Sequence, residues 1–237
     1  MSNVVYAALS RQTNLEHEFA SVANNIANAS TTGFRGERHI FSEYVRAISG
    51  EPSLSQTRIG AREIELSQGE LAPTDGPLDV AIEGKGFFVV NTPIGERLTR
   101  AGAFLRDAQG LLVTPEGYGV QDQGGGPLVI EADAGAISIS QDGVIIAGNA
   151  AVGRLRIVDA DVTTLEREGA SLFRTDADLQ ETSSIVRQGF LESSNISPVI
   201  EIARMIEVQR AFEINAQFIS EENDRIARAI DVISGRR

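Results

Sequence analysis

Each end of the chain carries a long stretch whose apolar residues recur at alternating steps of three and four. The N-terminal set is Val5, Ala8, Gln12, Leu15, Phe19, Val22, Ile26 and Ala29. The set after Pro198 is Ile202, Met205, Gln209, Phe212, Ala216, Ile219, Asn223, Ile226, Ile230 and Ile233. On a helix, a period of 3.5 residues makes a narrow seam suited to coiled-coil packing. We therefore predict two terminal helices whose seam residues are assembly contacts.

Three seam positions are polar, namely Gln12, Gln209 and Asn223. A polar residue at a seam position lowers stability but restricts the pairing that is allowed, so these residues are predicted to mark the register. The alternative is that both stripes are buried in an internal helical bundle, which is the ordinary fate of an amphipathic helix.

Composition excludes several classes of protein. The formal charge is −12, and residues 1–30 and 199–237 contribute only −1 each, so the middle of the chain is acidic. Lys85 is the only lysine, and the arginines are scattered among acids, whereas a phosphate-binding surface needs clustered basic residues. The absence of cysteine excludes disulfides, thiolate catalysis and cysteine-ligated metals. We expect no nucleic-acid partner.

The termini bear on localisation. No apolar run approaches the roughly 20 residues that span a bilayer, so no direct membrane insertion is expected. The N-terminus lacks a basic start followed by a continuous apolar segment, so it does not match a cleavable signal peptide. We expect any export to use a route that keeps the N-terminus.

The chain divides into four predicted regions: an N-terminal assembly helix (1–33), an extended connector (34–77), a β-rich outer domain (78–190) and a C-terminal assembly helix (191–237). The first helix is predicted from Asn3 to Ala29, about 40 Å long, and is ended by the cap-forming residues and glycine of 30–33. Within the connector, a short helical continuation is suggested by Phe41, Tyr44, Val45 and Ile48.

From Leu78 onward, short alternating segments separated by glycine turns predict antiparallel strands, and Asp142-Gly143 is a strong hairpin signal. The predicted fold class is α+β. The N- and C-terminal helices form an antiparallel coiled-coil-like layer, and a mainly antiparallel all-β domain is inserted between them.

No pattern in the sequence predicts catalysis. His17 and His39 are the only histidines, and no metal-binding spacing accompanies them. The adjacent acids Glu221 and Glu222 point away from one another on a helix, which favours a solvated face over a glycosidase pair.

The segment Gly84-Lys85-Gly86 only superficially suggests a phosphate loop. Asp79 occupies the position of the required upstream glycine, and Gly86 that of the magnesium-binding Ser or Thr. A turn between strands is the better interpretation. No catalytic, cofactor-binding or metal residue, no cofactor and no small-molecule substrate are therefore predicted.

The segment 23–35, Ala-Asn-Asn-Ile-Ala-Asn-Ala-Ser-Thr-Thr-Gly-Phe-Arg, resembles the N-terminal signature of the bacterial flagellar axial proteins, which include the rod and hook proteins. Five further segments resemble that family's motifs in the same order: 78–90, 98–104, 110–114, 188–196 and 205–213. The motif residues carried over are Asn24, Asn25, Asn28, Gly33, Phe34, Gly84, Gly86, Phe87 and Phe88. The density of asparagines at the helix end favours interhelix or backbone hydrogen bonds.

The resemblance implies a structural subunit of the flagellar basal-body rod that transmits torque across the envelope. The implied partners are the proximal and distal rod proteins, copies of the chain itself and the flagellar export apparatus, and the implied place is the periplasmic rod. The opening Val5–Gln12 and the short connector are similar to proximal rod proteins, with distal rod proteins as the nearest alternative. A second class, a secreted β-domain binding module oligomerised by its helices, would form closed oligomers instead of open-ended polymers.

Overall fold

The computed structural model of the chain describes residues 3–46, 54–131 and 133–235. The chain divides into two compact units. The first combines Met1–Ala27, Glu37–Glu63 and Ser197–Arg237, and the second combines Asn28–Gly36 and Ile64–Ile196. Both units are therefore assembled from segments that are far apart in the sequence.

The first unit contains the two predicted terminal helices. Helix α1 is Asn3–Ala27 and helix α2 is Pro198–Ile233. Pro198 opens α2 because its missing N–H is not needed in the first helical turn, and Glu201 places a carboxylate near the positive end of the helix dipole. In the described part of the chain, no helix has both the length and the apolar character needed to cross a membrane.

The helical continuation predicted in the connector is wrong. Strand β1, Glu37–Arg46, includes Phe41, Tyr44 and Val45, and it pairs with strand β2, Leu54–Ile64, in a two-stranded sheet. Ile48 lies outside the described residues. A few apolar residues over eight positions do not distinguish a short helix from a strand, and aromatic and β-branched side chains favour the strand.

The second unit is built mainly of short strands, which confirms the α+β class. In chain order they are β3 Leu71–Pro73, β4 Val80–Glu83, β5 Phe87–Thr92, β6 Gly95–Thr99, β7 Leu105–Arg106, β8 Leu112–Val113, β9 Gly119–Val120, β10 Ile137–Ile139, β11 Val144–Ala147, β12 Ala150–Arg154, β13 Ile157–Asp159, β14 Glu166–Glu168, β15 Leu172–Arg174, β16 Gln180–Glu181, β17 Ile185–Gln188 and β18 Phe190–Glu192. A short 3-10 helix covers Val162–Thr164.

The largest sheet runs in the order β14-β15-β6-β5-β9-β8-β7, and β13 pairs with both β5 and β16. The predicted Asp142-Gly143 hairpin is confirmed, because β10 and β11 pair antiparallel around it and Gly143 has a φ of 81°. Strand β18 pairs with β3, so strand pairing extends beyond the predicted limits of 78 and 190.

Strand β5 is buried on both faces, which explains its continuous apolar run. Phe88 and Val90 contribute to one apolar cluster, and Phe87 and Val89 to another. In the first cluster, the rings of Phe88 and Phe104 meet edge to face with their centroids 5.2 Å apart. The second unit thus has a core of its own on each side of this strand.

Replacing Phe88 with Ala is expected to lower the free energy of unfolding of the second unit by about 3–5 kcal/mol, because the ring is fully buried and its loss leaves a cavity. Replacing the exposed Ile94 with Ala is the matched control and should change it by less than about 0.5 kcal/mol. Urea unfolding of the two variants measures the difference. Similar effects from both would contradict the placement of Phe88 in the core.

Candidate functional site

Helices α1 and α2 contact each other in antiparallel order. The Asn215 side-chain amide donates to the Ala8 carbonyl over 2.9 Å, and the Arg204 guanidinium pairs with Glu18 over 3.0 Å. Contacts made later in the sequence of α1 are therefore made earlier in the sequence of α2. These contacts pair the two ends of the chain within one molecule.

Asn25 joins three elements of the first unit. Its Nδ2 donates to the Glu37 carbonyl over 3.0 Å, and its Oδ1 accepts from the Glu37 N–H over 3.1 Å. The same amide donates to the Glu201 carboxylate at 3.3 Å. Asn25 thus makes both the backbone and the interhelix hydrogen bonds expected of the asparagines at this helix end, and it ties α1 to the first residue of β1 and to α2.

The predicted seam residues of α1 differ in burial within the single chain. Ala8 and Val22 are buried, and Phe19 is exposed. The remaining four are half-buried: Val5, Gln12, Leu15 and Ile26. The side of α1 that is buried also includes Asn14, Ser21 and Asn25, which were not among the predicted seam residues.

On α2 the buried residues are Glu201, Val208 and Asn215, at intervals of seven. Four predicted seam residues lie between or beyond them and are half-buried: Met205, Phe212, Ile219 and Ile226. Five more lie one position after the heptad of buried residues and its continuation, and they are exposed: Ile202, Gln209, Ala216, Asn223 and Ile230. The last member of the set, Ile233, is exposed as well. Gln209 donates to Glu213 of its own helix. Apolar periodicity missed this face because two of its three buried residues are polar.

The second half of the N-terminal signature belongs to the second unit. Gly33 has a φ of 67°, and a Cβ there would overlap the backbone of Arg100 and Ala101. The Gly33 N–H donates to the Glu192 carbonyl over 2.7 Å. Phe34 is fully buried, with the Arg167 guanidinium 4.5 Å above its ring. Close approach of two backbones thus explains why this position needs glycine.

A buried carboxylate lies beside this motif. Glu192 pairs with Arg35 at 2.6 Å and with Arg100 at 3.1 Å, and it accepts the Gly69 N–H at 3.1 Å. All three charged side chains are at most 4% exposed. Burial lowers the pKa of Arg100 to about 10, with the Glu192 charge opposing the shift and the Arg35 charge adding to it. Burial likewise lowers the pKa of Arg35, against the opposing effect of Glu192.

The glycines around Lys85 shape the connection between β4 and β5. Gly84 and Gly86 have φ values of 102° and 107°, and the Gly84 carbonyl accepts from Arg100 over 2.7 Å. The segment therefore connects two strands, as predicted. The Arg100 guanidinium lies over the Phe87 ring, 5.3 Å from the centroid of that ring.

The other asparagines of the signature sit at the end of α1. Asn24 is exposed, whereas Asn28 is half-buried and accepts from the Thr31 hydroxyl over 3.3 Å. The two histidines, distant in sequence, meet within the first unit with ring centroids 6.1 Å apart.

Sequence reasoning missed Glu192, Arg100 and Asn195. Asn195 accepts from the Gly36 N–H at 2.7 Å and donates to the Glu65 carbonyl at 2.9 Å. The signal that was available is that these residues lie inside the motif segments 98–104 and 188–196. Their roles depend on contacts with residues more than sixty positions away, which no local pattern reveals.

Family models match three parts of the chain. Residues 6–35 match one described as flagella basal body rod protein. Residues 81–147 match the flagellar hook protein FlgE/F/G D1 domain, and residues 187–232 match the C-terminal part of the flagellar basal body rod FlgEFG proteins.

Curated relatives align over most or all of the chain. The flagellar basal-body rod protein FlgF of Caulobacter vibrioides is 36% identical over 98% of both chains. FlgF of Mesorhizobium japonicum is 32% identical over the full length of both. The flagellar basal-body rod protein FlgG of Agrobacterium fabrum is 35% identical over 89% of this chain and 90% of its own.

Replacing Glu192 with Gln is expected to lower the free energy of unfolding of the second unit by about 3–5 kcal/mol, because two buried guanidiniums lose their shared counter-charge. The control is Glu166→Gln, which weakens the solvent-exposed pair with Arg174 and should cost less than about 1 kcal/mol. Thermal and urea unfolding compare the two. Equal small losses would mean that the buried carboxylate is dispensable.

Proposed function

Because the chain belongs to the flagellar basal-body rod protein family and is a structural subunit of the rod, we propose that it assembles through the outward faces of its two terminal helices. The subunit is of the FlgF type, since FlgF relatives align from end to end. The FlgG type is the nearest alternative, supported by the identity to the Agrobacterium protein.

The observation that carries this proposal is the distribution of exposed apolar side chains. Among the described residues, seventeen large hydrophobic side chains are exposed, and twelve of them lie on α1 and α2. The twelve are Tyr6, Leu9, Phe19, Val199, Ile200, Ile202, Ile206, Ile214, Phe218, Ile230, Val232 and Ile233. A helix pair that exposes so much apolar surface is typical of a part that packs against other chains.

The packing that suits these faces is that of a coiled coil. The buried residues of α2 repeat every seven positions, the spacing of knobs-into-holes contacts, and the order of contacts with α1 is antiparallel. Full burial of one large apolar side chain is worth about 1.5–3 kcal/mol. Burial of several of these side chains between subunits therefore favours association.

The mechanical role follows from that packing. In a rod, each subunit passes torque to its neighbours through the buried contacts of its helices. A closely packed interior resists shear because its side chains sit in defined positions with few voids. We propose that the exposed seam residues, such as Phe19, Ile202 and Ile230, make these contacts, with copies of this chain and with the proximal and distal rod proteins.

Export and location complete the proposal. Membership of the rod family supports a place in the basal body, and we assign the subunit to the periplasmic part of the rod. We propose that the chain reaches it through the flagellar export apparatus with its N-terminus retained. No catalytic step is needed for this role, and the family is structural, not enzymatic.

Replacing Phe19 with Asp tests the assembly surface. Phe19 is 41% exposed in the single chain. In the assembled rod, the substitution would place a charge in a dry interface, at a cost of roughly several kcal/mol if the charge stays buried there. Motility in soft agar and completed rods in isolated basal bodies are expected to be lost, while the second unit unfolds at the same temperature as in the unmodified chain.

The control is Ile94→Asp, which replaces an exposed large apolar side chain of the second unit, outside α1 and α2, with the same charge. It should leave motility largely intact. Normal swimming with Phe19→Asp would count against the assembly surface. Closed small oligomers of the unmodified chain, without open-ended polymers, would favour the alternative of an oligomeric binding module.

A further inference from the structure

The contact between α1 and α2 is rich in polar groups where an apolar contact would be expected. Its polar members, called the polar ladder here, are Glu18, Asn25, Glu201, Arg204 and Asn215. Asn25 is 1%, Glu201 3% and Asn215 7% exposed. Twelve large apolar side chains among the described residues of the same two helices are exposed. Polar residues therefore make up much of the buried contact, beside Ala8, Val22 and Val208, while many large apolar residues of the same helices are exposed.

Stability alone does not account for this arrangement. A buried amide or carboxylate loses its hydration and recovers at most a modest net gain from its hydrogen bonds, so well-packed apolar residues would hold two helices together at least as well. Polar residues in a helix seam are best attested as devices that select one pairing over others. Such a device works only if each polar group has a partner in one alignment alone.

The contact between Glu201 and Asn25 meets that condition, because both partners are side chains, and Asn215 adds a contact to the main chain of α1. Asn215 donates to a main-chain carbonyl, that of Ala8, whose small side chain lets the two helices approach. Near the other end of the contact, the Glu201 carboxylate accepts from Asn25, which is itself fixed by two bonds to the main chain of Glu37. Sliding one helix by a turn would break both contacts at once and leave the buried Glu201 carboxylate without the Asn25 amide, which is costly.

We propose that the polar ladder sets the register of the α1–α2 pair, and that Asn215 and Asn25 are its positioning residues. The role extends the proposed function and rests on it, because the register decides which apolar side chains of each helix together form the surface offered to neighbouring subunits. The register is therefore set within the subunit, by residues other than the predicted markers Gln12, Gln209 and Asn223.

The test measures register directly in the purified full-length chain. The absence of cysteine in the sequence gives a clean background for paired cysteines. Because Asn215 lies against Ala8, antiparallel pairing places Ala211 beside Gln12, and a slip of one heptad would place Phe218 there instead. Two double variants are made. One combines Gln12→Cys with Ala211→Cys and reports the native register, and the other combines Gln12→Cys with Phe218→Cys and reports the slipped register. Each is treated in dilute solution with a short thiol-specific cross-linker. Intramolecular products are quantified on denaturing gels.

In an otherwise unmodified chain, the in-register product is expected to dominate. Adding Asn215→Leu should lower the ratio of in-register to slipped product about fivefold, the factor that one net hydrogen bond contributes to an equilibrium. Asn215→Gln, which keeps an amide donor, should retain more of the ratio than Asn215→Leu. The matched control is Asn223→Leu, the same change at an exposed position of the same helix, and it should leave the ratio unchanged.

An unchanged ratio in Asn215→Leu overturns the proposal, as does a chain with native asparagines that shows no preference for the in-register pair. Far-UV circular dichroism checks that helix content is retained in each variant. Motility of cells carrying Asn215→Leu without cysteines separates this inference from the proposed function. If Asn215→Leu shifts the register but the cells still build normal rods, the ladder is upheld and the helix surface is not. If Asn215→Leu keeps the native register while Phe19→Asp abolishes motility, the helix surface is upheld and the ladder is not.

Discussion

The buried carboxylate of Glu192 holds together three separate segments of the second unit. It lies at the end of β18 and is shared by Arg35, Arg100 and the main chain of Gly69. These groups come from the N-terminal signature, from the residue after β6 and from the segment before β3. One charge therefore organises three segments, and removing it would leave two guanidiniums buried without their shared counter-charge.

The same arrangement explains the strictness of the N-terminal signature. Its first part, around Asn25, belongs to the helical unit, and its second part, from Asn28 to Gly36, belongs to the strand-rich unit. Gly33 is needed where two main chains approach too closely for a side chain, and Phe34 and Arg35 are fully enclosed. A short motif that serves two separately packed units tolerates little change, because each residue has its own set of distant partners.

In the helical unit, several polar side chains lie in the contact between α1 and α2, while many large apolar side chains are exposed. Polar groups such as Asn25 and Asn215 are satisfied by specific partners inside the subunit, where direction matters. Apolar groups such as Phe19 and Ile214 remain exposed. Apolar contacts are non-directional and scale with area, so they suit a surface that must bind several related neighbours. Hydrogen bonds are directional and suit a contact that must have one register.

The sequence by itself determined the two terminal helices, the strand-rich middle, the hairpin at Asp142-Gly143 and the family, because periodicity, turn residues and short motifs are local properties. Tertiary structure alone decided that 37–46 pairs as a strand and that Glu192 is shared by Arg35 and Arg100. It also decided which face of α2 meets α1. The residues of that face come one position before about half of the predicted seam residues of α2. A shift of one residue turns a helix face by about 100°, and apolar periodicity cannot detect a contact made by Glu201 and Asn215. The burial of those residues depends on partners far along the chain, and only the folded molecule brings them together.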